Sequence, residues 1–176
     1  IIVARTNSNE SISMLLHHIT ISGLGGVGGY YGAMLVEAAR LEGLGRTISF
    51  VARGEHLQAI RSRGLHVHTP ARDFTVHPDF IAEDPKELPA TDLLILATKS
   101  YDLGANIEQL RPIITPKTII LPLLNGADIT DQVQALLPGA RVWDGCVYIS
   151  GRKPAPGEIL LEAERELFFF GERTEG

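Results

Sequence analysis

The stretch Ile21-Ser22-Gly23-Leu24-Gly25-Gly26-Val27-Gly28-Gly29-Tyr30-Tyr31-Gly32 lies between a β-prone run, His17–Ser22, and a segment with helical spacing of apolar residues. It carries the pattern G-x-G-x-x-G between a strand and a helix, the context that gives this otherwise weak motif meaning. Each glycine has a separate task. Gly23 permits the sharp exit from the strand, Gly25 leaves backbone bare for an approaching pyrophosphate, and Gly28 lets the helix pack close to the sheet. The first helical N–H groups lack intrahelical partners, and the positive end of the helix dipole lies with them. Gly23, Leu24, Gly25, Gly26, Val27 and Gly28 are therefore the expected phosphate cradle.

Working outward, the chain alternates strands and helices. Tyr31–Leu41 reads as a helix with Met34, Leu35, Ala38 and Leu41 on one face, stopped by Gly43 and Gly45. Thr47–Val51 is a β-branched and aromatic run, followed by a short helix, His56–Arg63, that ends at Gly64. Leu65–Thr69 alternates as a strand and Phe74–Val76 is placed to pair with it. Leu93–Thr98 and Thr118–Leu123 are apolar throughout, as strands covered on both faces are. Ile129–Leu137 is helical and stops at Pro138-Gly139, and Val142–Ser150 is a further strand. Glu158–Leu161 and Leu167–Phe170 are expected to form a final hairpin or ladder. This order predicts a Rossmann-like, doubly wound α/β fold: a mostly parallel sheet with helices on both faces. Residues 17–176 form that domain and residues 1–16 an N-terminal extension.

Composition narrows the function classes. The chain has 176 residues, 44% hydrophobic and 21% charged, with a net charge of −5. Its 16 Lys and Arg are scattered. Nucleic-acid binding needs a concentrated basic field, so no nucleic-acid partner is expected. No apolar run approaches the ~20 residues that cross a bilayer, so no membrane partner is expected either. One cysteine, Cys146, rules out an internal disulfide and points to a reducing, cytoplasmic setting. The chain begins with Ile1, which implies a processed start or a piece of a longer reading frame.

The second strand bears on the cofactor. NAD-binding domains end this strand with a carboxylate on the ribose 2′-hydroxyl. Here it ends Val51-Ala52-Arg53-Gly54. Arg53 suits a bidentate pair with a 2′-phosphate, so NADPH is expected over NADH. Glu55, two residues on, is the competing candidate as a ribose ligand.

Several blocks in order resemble the ketopantoate reductase (2-dehydropantoate 2-reductase) family: Gly-Leu-Gly-Gly-Val-Gly-Gly-Tyr-Tyr-Gly at 23–32, Phe-Val-Ala-Arg-Gly-Glu-His-Leu at 50–57, Arg-Gly-Leu at 63–65, Ala-Thr-Lys-Ser-Tyr-Asp at 97–102, Leu-Asn-Gly at 124–126, Pro-Gly at 156–157 and Phe-Gly-Glu at 170–172. The resemblance implies that Lys99 and Asn125 face nicotinamide and substrate, and that backbone near Gly151 approaches the cofactor. Their positions agree, since both side chains follow the carboxyl ends of predicted parallel strands, where open α/β sheets bind ligands. Read without the resemblance, Lys99 is a solubilising strand-end cation and Asn125 a turn residue. The implied reaction is hydride transfer from NADPH to 2-dehydropantoate, giving pantoate for pantothenate and coenzyme A synthesis. The family's general-acid lysine and its substrate-binding carboxylate belong to a C-terminal helical domain, and this chain is expected to stop before that domain. Lys153 and Glu158 do not stand in for them. The isolated chain is thus expected to bind cofactor without turnover, and any homodimer to form through the missing domain. The alternatives are a non-catalytic NADP(H) sensor and a reductase of another small 2-keto acid.

The remaining chemistry-bearing residues read as structural. His17 and His18 point to opposite sides of a strand. His66 and His68 share a face, but neither Cys nor His is placed to complete a tetrahedral set, so no metal is expected. His56, beside Arg53, is expected at the surface rather than on the 2′-phosphate, and Cys146 packed within its strand. Ser100 and Tyr101 either line the pocket or cap the next helix. Phe168–Phe170 is core, or an edge covered by further chain.

Overall fold

A computed structural model describes residues 16–43, 45–126, 128–162 and 166–172, and the predicted extension at 1–16 lies almost wholly outside them. The elements, in chain order, are β1 His18–Ser22, α1 Gly26–Glu42, β2 Thr47–Val51, α2 Gly54–Arg63, β3 Leu65–His68, β4 Asp73–Val76, β5 Phe80–Ala82, β6 Leu93–Leu96, α3 Leu103–Leu110, β7 Ile119–Pro122, α4 Ile129–Leu136, β8 Arg141–Tyr148, β9 Gly151–Arg152, β10 Glu158–Leu161 and β11 Leu167–Glu172.

Seven strands form the main sheet in the order β11-β8-β7-β6-β1-β2-β5. All neighbours are parallel except β11, which runs antiparallel to β8. From β1 the chain moves one way to β2 and β5, then returns to β6 on the other side of β1. That reversal makes the carboxyl ends of β1 and β6 a topological switch point, the place where open α/β sheets bind ligands.

Side-chain alternation divides the core in two. Ile19, Ile21, Ile48, Phe50, Leu93, Ile95 and Trp143 face a cluster that includes Tyr30 and Ala33 of α1 and Leu57 and Ile60 of α2. Leu94, Leu96, Ile120 and Val142 face Leu103, Ile107 and Leu110 of α3 and Ile129 and Val133 of α4. Helices therefore cover both faces, which explains the unbroken apolar runs of β6 and β7. Phe50 is fully buried, and such a side chain contributes about 1.5–3 kcal/mol.

At the amino end of β1, the carboxylate of Asp92 accepts the backbone N–H groups of His17 (3.0 Å) and His18 (2.8 Å). His18 Nε2 lies 2.6 Å from Ser49 Oγ on β2. Burial pushes the His18 imidazole below its ordinary range.

The structure departs from the sequence reading in several ways. Helix α1 starts at Gly26, inside the glycine motif, rather than at Tyr31. Strand β5 is too short to show an alternation, and the sequence reading gives no bounds to helix α3, although its Leu103, Ile107 and Leu110 recur at helical spacing; β5 closes one edge of the sheet and α3 fills one face. The expected hairpin of the last two strands does not form. β11 joins the main sheet through β8, whereas β10 enters a second, four-stranded sheet of order β4-β3-β10-β9. The apolar positions Leu65, Val67, Val76, Ile159 and Leu161 of that small sheet share the core cluster of α1. Finally, Cys146 is exposed. Along β8, Val142 and Trp143 are buried, while the second half of the strand alternates between exposed and half-buried. Phe168 and Phe170 of β11 pack against the core as expected, but Phe169 is 63% exposed.

Candidate cofactor-binding site

The glycine turn begins where β1 ends. Gly23 has φ +95°, and a Cβ there would lie 2.5 Å from the Ala97 carbonyl carbon and the Thr98 nitrogen, just past the end of β6. Only glycine satisfies both constraints. Gly28 is equally confined, because a side chain would run into the Gly23 carbonyl and the Ala97 Cβ. Gly25 differs from both: a Cβ there meets nothing within 4 Å, so its outer face is bare backbone open to space.

Gly25 is also the N-cap of α1. No side chain caps the helix, and its first turn holds no acidic residue. The first intrahelical bond of the turn runs from Gly29 N–H to the Gly25 carbonyl at 2.8 Å. The amides of Gly26, Val27 and Gly28 precede it and are the orphan donors of the helix start. Val27 is half-buried, whereas the Leu24 side chain turns into the core at 5% exposure, so Leu24 offers only its backbone.

The strand ends bring the other predicted residues to the same edge. Ala97 N–H donates to the Ser22 carbonyl at 2.8 Å, and Leu123 N–H to the Leu96 carbonyl at 2.7 Å. Lys99 and Asn125 each lie two residues beyond these bonds, and both are exposed. On the other side of β1, Ser22 is in register with Val51, and Arg53 follows two residues later as the N-cap of α2. Arg53 is exposed, and nothing among the described residues pairs with its guanidinium. Gly151 lies against the turn from outside: a Cβ on it would lie 3.3 Å from the Gly26 carbonyl oxygen. The edge thus presents bare amides at its centre, a cation at the end of β2, and an ammonium and a carboxamide beyond β6 and β7.

Two supporting residues escape a reading of the sequence. Asn106 of α3 donates from Nδ2 to Ser22 Oγ at 2.9 Å and anchors the last residue of β1. Its partner is 84 positions away, so no local pattern marks it. His56 is buried rather than on the surface, at 8% exposure. The β9–β10 loop folds over it, and its Nδ1 accepts the Gly157 N–H at 2.8 Å. Burial, with a smaller contribution from the Lys153 charge, holds this imidazole below its ordinary range. A neutral ring suits an acceptor that ties α2 to the loop behind Gly151. Ser100 and Tyr101 form a 3-10 turn with no side-chain cap, and Tyr101 is 82% exposed. They contribute surface rather than a helix cap.

A doubly wound α/β domain with a glycine-lined turn at its switch point is the class that fold and site define. The profile of the family described as ketopantoate reductase PanE/ApbA matches residues 19–174, and the chain belongs to that family. An uncharacterized oxidoreductase of Bacillus subtilis, YkpB, is 31% identical over 152 residues, covering 86% of this chain and 48% of the relative. A 2-dehydropantoate 2-reductase of Mesorhizobium japonicum is 29% identical and covers 88% of this chain and 51% of its own length. Among solved structures, 2-dehydropantoate 2-reductase from Porphyromonas gingivalis superimposes with a TM-score of 0.83 at 51% identity, over 88% of this chain and 54% of that one. A D-mandelate dehydrogenase, with a TM-score of 0.69 at 22% identity, shares the fold. The chain spans about half the length of the curated relatives it matches. Among the described residues, no helix is long and apolar enough to cross a membrane.

Proposed function

We propose that this chain is the cofactor-binding half of a cytoplasmic, NADPH-dependent reductase that converts 2-dehydropantoate to pantoate. The observation that carries the reading is the open backbone of Gly25, set between Arg53 at the end of β2 and Lys99 beyond β6. The amides of Gly26, Val27 and Gly28 hold the pyrophosphate, and the α1 dipole adds to their pull. Arg53 pairs with the ribose 2′-phosphate in a fork of two charge-assisted bonds. NADPH, once bound, supplies a hydride to the ketone carbon. Lys99 places a cation beside the substrate's oxygens, where negative charge grows as the carbonyl is reduced. Asn125 donates and accepts hydrogen bonds and fixes orientation at the same edge. Gly151 packs its backbone against Gly26 and so confines the turn. Protonation of the product oxygen, and the grip on the substrate's far end, fall to the half that the relatives possess beyond this chain.

Support comes from family membership and from relatives named 2-dehydropantoate 2-reductase. The test is steady-state reduction of 2-dehydropantoate by the complete protein with NADPH and with NADH. Turnover should favour NADPH, and Lys99→Ala should lower kcat/KM by about 100-fold, the scale of one lost electrostatic contact in a transition state. Unchanged kinetics in Lys99→Ala would remove the role given to that residue. Absence of turnover with this substrate would redirect the search to other small 2-keto acids.

A further inference from the structure

We propose that His66, His68 and Asp73, on the outer face of the small sheet, bind a divalent transition-metal ion of the zinc type. The site is built by strand geometry. His66 and His68 stand two positions apart on β3 and therefore project from the same face. β4 runs antiparallel beside them, with Thr75 opposite His66 and Asp73 opposite His68. One ligand atom from each of His66, His68 and Asp73 lies within 4.8 Å of the other two. The two imidazole rings are 4.4 Å apart at their centroids and 71° from coplanar. His68 Nδ1 is 2.9 Å from Asp73 Oδ2, and His66 Nδ1 is 2.6 Å from Thr75 Oγ1.

The donor set is two imidazoles and one carboxylate, which zinc accepts in open three-ligand sites with water in the remaining position. Tetrahedral bonds of about 2.0–2.1 Å place ligand atoms roughly 3.4 Å apart. The longest separation here must therefore shrink by roughly 1.4 Å, within reach of rotation of two half-buried imidazoles and an exposed carboxylate. The strands beneath are firm. Leu65 and Val67, which alternate with the histidines, are fully buried. Thr69 closes the hairpin through Arg72, accepting its N–H at 3.0 Å and donating to its carbonyl at 2.7 Å.

The surrounding charge favours a cation. Arg72 is engaged by Glu37 and lies 4.4 Å over the ring of Phe74. Phe74 is the register partner of Val67 and so belongs to the inner face. On the third strand of the same face, Glu158 is the register partner of His66. It adds negative potential, reduced by Arg63 at 4.0 Å. An ion entering between His68 and Asp73 displaces the proton they share and keeps both partners satisfied.

The experiment is titration of the untagged protein with Zn²⁺ by calorimetry and with Co²⁺ by visible absorption. One saturable site per chain is expected, with Co²⁺ giving the ligand-field bands of nitrogen and oxygen donors. His66→Ala and His68→Ala should each weaken binding at least tenfold. Asp73→Asn should weaken it less, and His77→Ala should leave it unchanged. His68→Gln, which keeps a polar side chain of similar size, guards against a folding defect in the alanine variant and should show the same loss. Absence of saturable binding, or binding retained in the His66→Ala/His68→Ala double variant, would overturn the proposal.

Discussion

The turn after β1 and the β3–β4 hairpin, the two sites proposed above, are built by opposite means. In the turn, what matters is the side chains that are missing. Gly23 and Gly28 are confined by backbone, Gly25 opens to space, and these residues follow one another within six positions. In the hairpin, what matters is the side chains that are present, brought together by a cross-strand register between residues 66–68 and 73–75. The first kind of site is written as a local pattern and the second as a pairing. The contrast teaches that a motif search finds sites whose spacing lies along the chain and passes over those whose spacing lies across the sheet.

The sharpest way to break this comparison lies within the turn, where two neighbouring glycines should fail differently. Gly23→Val forces a β-branched residue into a positive φ and against Ala97, a destabilisation on the order of 3 kcal/mol. Thermal or urea unfolding reads it. Gly25→Val meets open space and sits at φ −82°, so its melting temperature should stay near the parent's. Its NADPH affinity, followed by cofactor fluorescence, should fall by on the order of 100-fold, comparable to losing one or two bonds to a charged group. If both variants lose stability alike, the open corner is structural and the pyrophosphate reading fails.

Next in size is Arg53→Ala. It should weaken NADPH by about 10- to 100-fold, the value of charge-assisted hydrogen bonds, and leave NADH unchanged. Equal affinities of the parent for the two cofactors would pass the second strand to Glu55.

The smallest effect concerns the buried imidazoles. His18 and His56 are both held below their ordinary value, largely by burial. The unfolded chain therefore binds more protons than the folded one as pH falls below about 6.5, and stability declines in that direction. Above that pH both states are neutral at these rings and the contribution is constant. Melting temperatures at neutral pH and near pH 5.5 should show the decline, and His18→Gln should flatten it. A flat profile in the parent would mean that neither ring is held neutral by the fold.

Much of the main sheet could be read along the chain. β1, β2, β6, β7 and β8 are short apolar or β-branched runs bounded by glycine, proline or polar residues. Helix–strand alternation then makes their parallel pairing the simplest topology. Lys99 and Asn125 follow their strands at the same edge because hydrogen bonds link the ends of β1, β6 and β7. What escaped was set by distant partners. β5 is three residues long, and only its pairing with β2 makes it a strand. Proximity in sequence favours β10 beside β11, yet β10 pairs with β3 and its apolar positions join the core cluster of α1. No local pattern marks His56 as buried, because the loop that covers it arrives 101 residues later. Asp73 stands five positions from His68 in sequence, and only the β3–β4 register sets the two side by side.

The exposed thiol of Cys146 has a practical consequence. It is the chain's one cysteine, and it stands on β8, two strands from β6 in the sheet. A maleimide dye coupled there reports from a single known position without prior mutagenesis. Energy transfer from bound NADPH to that dye would then follow the cofactor's arrival as a distance, independently of turnover.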